Sequence, residues 1–332
     1  MPRSSDDAVR PKGLSAGTVR VSRIDPHEFE SVSETVPSIA TSPVSLMSHA
    51  EHANSNFTGR ERRSPHYLRL LMMFMRNSII RELSFRWNFV VEFVTMCFWF
   101  VAQFVMFDLI YRNVDSINGW NRYEFFAFLA TGMTINTLIE AFFMPNCANF
   151  SELIRTGNLD FALLKPIDTQ FLISFEKLDL GALSNLILSL SLLGYGLSHL
   201  EHPILPLQVL MYLLMMAVGI AFFYSLMILL ASTSIWFGRN QGLYDFWFYI
   251  TVFARYPRSI YGGSWMGDSL RIFFSYAIPI LLVVTVPAEI IVSKVLTPSW
   301  IAWVAIAAAV GGLLISRRVF HRALRSYSSA SS

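Results

Sequence analysis

The chain is short of charge. Only 15% of its 332 residues are Asp, Glu, Lys or Arg, against roughly 25% in a soluble domain. Cysteine is scarcer still, with Cys97 in an apolar run and Cys147 at the end of another. Two such residues supply neither a disulfide framework nor metal-ligand spacing. There is no Gly-x-x-x-x-Gly-Lys-Ser/Thr loop, so nucleotide is not held in that way. Gly-x-Ser-x-Gly, His-Glu-x-x-His and Cys-x-x-Cys are also missing. Residues 1–62 lack an apolar core of the kind a secretory signal needs. The histidines all fall outside the long apolar runs. His199 and His202 with Glu201 have a spacing that a metal ion accepts, but they read more simply as a solvated loop. No enzyme is implied by these residues.

Apolar sequence is abundant. Hydrophobic residues make up 54% of the chain, with 28 Phe among them. They come in blocks long enough to cross a bilayer core, which takes about 20 helical residues. The blocks are continuously apolar, so helices and not barrel strands are expected to span. The expected fold is an all-α integral membrane protein of six transmembrane helices, at about 89–110, 125–144, 171–197, 204–237, 243–258 and 300–316. Residues 1–62 and 326–332 read as polar tails around a membrane domain of 63–325.

Before the first span, Leu68, Leu71, Met72, Met75, Ile79 and Leu83 recur at helical spacing, with Arg69, Arg76, Asn77 and Arg81 mainly on another arc. That pattern predicts an interfacial amphipathic helix. Its arginines, with Arg60, Arg62, Arg63 and Arg86, put the N-terminus in the cytoplasm by the positive-inside rule. Arg317, Arg318, Arg322 and Arg325 put the C-terminus there too. The region after Phe237 admits two readings. Either 243–258 spans and 272–292, interrupted by Pro279 and Pro287, is a re-entrant hairpin, or 243–257 lies in the interface and 272–292 spans. Hydropathy alone favours the second.

One stretch interrupts the apolar chain, Phe150 to Asp168. Ser151 is suited to cap a short helix, Glu152 to its first turn, Arg155 to its last turn and Gly157 to its stop. Lys165-Pro166 closes the segment. A capped, charged helix between two spans reads as a docking element. At membrane depth, Glu92, Glu140, Glu176, Asp179 and Asp245 are candidate functional residues. All but Glu140 lie near span ends, where placement at the interface or pairing with a neighbouring cation accounts for them. The remaining intramembrane polar set is thin, which argues against an ion-coupled secondary carrier. A non-transporting scaffold whose tail recruits partners is the other alternative.

The chain resembles the membrane subunit of a type-2 class ABC exporter, in the bacterial branch whose ATPase is a separate polypeptide. Leu153-Ile-Arg-Thr-Gly-Asn-Leu-Asp-Phe-Ala-Leu-Leu-Lys-Pro-Ile-Asp168 looks like that branch's R-x-G-x-L-D-x-x-L-x-x-P loop. Phe253-Ala-Arg-Tyr-Pro-Arg-Ser-Ile-Tyr261, Ser269-Leu-Arg and Ala277-Ile-Pro279 look like the outer end of its fifth span and the re-entrant piece beyond. The resemblance implies the first reading of the ambiguous region. It implies an inner-membrane permease with both termini cytoplasmic, paired with a second copy of itself or a related permease. It implies an ABC ATPase partner that carries ATP and Mg, no cofactor on this chain, and no nucleic acid. Glu152, Arg155 and Asp160 would be the docking charges at 150–168, with Leu153, Leu159 and Phe161 packing beneath.

Overall fold

A computed structural model describes residues 66–83, 86–237, 242–294, 296 and 300–328. The tail expected over 1–62, the turn expected at Gly238 to Gln241 and the last four residues lie outside these. The unit formed by Ser64–Ser332 is almost wholly helical. An interfacial-type helix α1 (Tyr67–Leu83) precedes α2 (Arg86–Tyr111). A tight hairpin, β1 (Ser116–Ile117) and β2 (Trp120–Asn121), leads into α3 (Arg122–Phe142) and α4 (Met144–Arg155). Asn118 and Gly119 form the turn with φ of 48° and 81°, the pair of left-handed conformations that an Asn-Gly hairpin accepts. A short α5 (Leu159–Leu163) and α6 (Thr169–Phe175) follow, then α7 (Leu180–Ser198) and the long α8 (Pro206–Phe237). The last part comprises α9 (Gly242–Ala254), α10 (Trp265–Ile272), α11 (Ile280–Ile291) and α12 (Ile301–Ser326).

Five helical stretches are long and apolar enough to cross a membrane, or six with the bent pair of 265–277 and 280–291. Asn121 caps α3 through a reciprocal box with Glu124. That satisfies two backbone donors at the helix start. The second apolar stretch does not stop at Met144. It continues through α4 to Arg155, because Pro145 sits in the first turn of α4, where its missing N–H costs nothing. The expected third span is in fact two helices, each with its own aspartate cap. Asp168 accepts from Phe171 N, and Asp179 accepts from Ala182 N. Asp179 therefore caps the start of a helix, and its own N–H donates to Ala141 O of α3 at 3.0 Å.

A bent pair of helices follows α9. A π-helical turn, Phe273–Ala277, extends α10, and the helices on either side of Pro279 meet at 86°. Pro279 has no N–H to continue the helix and pushes Ile278 into an extended conformation, with φ −129° and ψ 87°. The far end of α11 returns to the hairpin end of the molecule. There Lys294 pairs with Glu124 at 2.9 Å and Gln208 donates to Ser293 at 2.6 Å. Mid-helix, Val283 and Val284 reach Gly219 of α8 and Gly132 of α3. Ser259, just before α10, accepts from Trp120 Nε1 at 3.2 Å at the same end, so the segment from Ser259 to Lys294 begins and ends beside the hairpin, with the 13-residue α9 before it. Small residues of α12 meet α8: Ala305 and Ala309 are buried, and Gly312 lies against Ser225. Small residues allow such close backbone approach.

Candidate functional sites

The end opposite the hairpin is built around α4 and α5. The helix does not start at Ser151 as its capping propensity predicts. Ser151 lies inside α4, and its hydroxyl sits 2.8 Å from that of Ser234 on α8. Arg155 ends the helix, and Gly157 follows with φ +73°, the left-handed stop that glycine adopts without strain. Glu152 and Arg155 are both exposed and form a two-pronged pair, with Arg155 Nε and Nη2 donating at 2.7 and 2.5 Å. Beneath them Phe150 and Leu159 are fully buried, and Leu153 packs partly into the same core. Asp160 is half-buried. Phe161, expected to pack beneath, instead stands 70% exposed, beside Leu164 at 80%. The result is a shoulder with an apolar root and a rim of one ion pair and two bare apolar side chains.

That shoulder is fastened to the rest of the molecule. Phe150 packs on Phe320 of α12 with ring centroids 5.6 Å apart, and Arg317 reaches Asp168 at 3.3 Å. Lys165 and Glu176 pair at 3.3 Å, so a neighbouring cation accounts for Glu176. Asn146, which composition and spacing did not single out, is the knot between α3–α4 and α6–α7. Its buried amide donates to Phe142 O at 2.6 Å, Ser174 O at 3.1 Å and Lys177 O at 2.6 Å, and accepts from Lys177 N at 2.8 Å. The only hint in the sequence is its place after Pro145, where freed carbonyls are expected. Lys177 donates to Asn149 at 2.6 Å. Burial, with Arg81 adding to it and Glu176 opposing it, pulls the Lys177 ammonium below its ordinary range.

A second site lies between the helices. A cavity of about 270 Å³ opens between α2 and the rest of the bundle. On the α2 side it is walled by Met96, Trp99, Phe100 and Gln103. Facing them are Asn136 and Glu140 of α3, Asn185 of α7, Thr251 of α9 and Arg255 just beyond it. Trp247 Nε1 donates to Glu140 Oε1 at 3.1 Å, and Asn136 Nδ2 donates to the same oxygen at 3.4 Å. Among the described residues no cation comes within ion-pair distance of Glu140. The other charges expected at depth are accounted for locally. Glu92 packs its carboxylate against Gly181, where a Cβ would collide with it, and Asp245 is exposed near the start of α9. An inner charge that position alone did not flag is Asp108, buried where α2 nears the hairpin and paired with Arg122 and, at 3.0 Å, with Arg112.

Residues 97–331 match the model of a family described as ABC-2 family transporter protein. No curated protein and no solved structure matches the chain.

Proposed function

The chain belongs to the ABC-2 transporter family, and on that premise we propose that this multi-pass permease is the membrane half of an ATP-driven exporter in a bacterial inner membrane. A separate ABC ATPase, which holds ATP and Mg, docks on the shoulder of α4 and α5. Two permeases, identical or related, pair to form the path, with both termini on the ATPase side. The observation that carries this reading is the anchored shoulder. Glu152 and Arg155 of α4 and Phe161 of α5 are presented to solvent by helices rooted through Phe150 and Leu159. Leu153 and Asp160 flank that rim. An exposed ion pair contributes little to stability, so stability does not account for its geometry. A rim held by a buried root, in contrast, transmits a push from a partner into α3 and, through Asn146, into α7.

The test is Arg155→Glu. It replaces a cation with an anion beside Glu152, so the partner meets repulsion in place of the pair. The expected result is loss of ATP-coupled transport with membrane insertion and folding unchanged, read by the size-exclusion profile in detergent. Full coupling in that variant removes the docking assignment.

A further inference from the structure

The cavity beside α2 holds a carboxylate whose position calls for an occupant. Glu140 sits eighteen residues into the continuous helical stretch that starts at Arg122, about 27 Å along its axis. Its carboxylate is partly buried in the protein, and a charge taken out of water is costly unless it is paired. Two N–H donors, from Trp247 and Asn136, converge on one of its oxygens. Both are neutral; Arg255 pulls on the carboxylate only from beyond ion-pair distance, and Asp179 opposes that pull, so no cation sits directly against it. Arg255, on the same cavity wall, follows Trp247 by eight residues, about 12 Å toward the hairpin end. It lies beyond ion-pair distance. Trp99, Phe100 and Met96 bring aromatic and thioether surface to a cavity also lined by Gln103, Asn185 and Thr251, and Trp99 is 67% exposed. Aromatic faces beside a carboxylate are the surroundings that bind an amine or a quaternary cation.

We propose that this cavity binds an amphipathic organic cation, with its charged head against Glu140 and its apolar body against Trp99, Phe100 and Met96, entering sideways past α2. That the cation is cargo rests on the transporter reading. The binding does not, since it requires neither ATP nor an ATPase.

The experiment uses the full chain in lipid nanodiscs, with empty nanodiscs subtracted. Tetraphenylphosphonium and tetraphenylborate serve as probes because they share shape and apolar surface and differ in the sign of charge. The expected result is saturable binding of the phosphonium and none of the borate above the empty discs. Glu140→Gln keeps the hydrogen-bonding shape and removes the charge. It is expected to weaken phosphonium binding about tenfold or more, the loss that accompanies one charge-assisted contact. Trp99→Leu, on the exposed face of α2, is expected to weaken it less. Equal binding of both probes, stronger binding of the borate through Arg255, or unchanged affinity in Glu140→Gln each overturns the proposal. The comparison of the two probes on the unaltered chain decides the matter even where a variant does not fold.

Discussion

Two of the most apolar helices in this chain have opposite surroundings. None of the most apolar eighteen residues of α2 is buried in the protein. In α11, every residue from Ile280 to Ala288 is buried. Hydropathy does not separate them, because lipid tails and a protein interior are equally apolar. What separates them is the neighbours' shape. Gly219 and Gly132 open gaps in α8 and α3 that Val283 and Val284 fill, and Pro279 turns α11 into those gaps. The helix that presents apolar residues to the outside is thus distinguished from the one forming the core by glycines and a proline elsewhere in the chain.

The comparison breaks most sharply at Gly219. A Cβ there meets Val283 Cγ1 at 2.8 Å and its carbonyl oxygen at 3.0 Å. Gly219→Leu is expected to destabilise the fold by about 3 kcal/mol, the upper range for overpacking, seen as a lowered midpoint in detergent thermal unfolding. Gly194→Leu on α7, where nothing lies within 4 Å, is the control and is expected to leave the midpoint in place. A smaller effect separates the helices themselves. Leu282 of α11 is fully buried, and Leu109 of α2 is 53% exposed. Leu282→Ala is expected to cost about 2 kcal/mol through the cavity it leaves, and Leu109→Ala less than about 0.5 kcal/mol, in line with surface positions. An equal loss at both would mean that α2 is itself packed against another chain.

Much of the fold was legible because apolar runs report spanning helices. The stops of α4 at Gly157 and of α10 at Pro279 were legible because glycine and proline constrain the backbone directly. The start of α4 was not. Ser151 has good capping chemistry, but Pro145 further upstream is equally suited to a first turn, and tertiary contact with Ser234 holds the serine inside the helix. Asn118-Gly119 signalled a hairpin that an all-α reading passes over, because two-residue strands add little to the pattern. At the sites, Glu140 was visible as a charge at depth. Its partner Trp247 was not, since a tryptophan in an apolar run looks the same whether it faces lipid or a carboxylate. Asn146 was hidden for a similar reason: its importance lies in carbonyls from Ser174 and Lys177, which only the folded chain brings to it.

The measurement that reaches the central claim most directly is a gentle detergent purification of the chain from its native membrane, with identification of what accompanies it. The account predicts a stoichiometric ABC ATPase that is retained by the unaltered chain and lost when residues 151–161 are altered. A chain that purifies without any ATPase, or an ATPase that stays bound when those residues are changed, contradicts it.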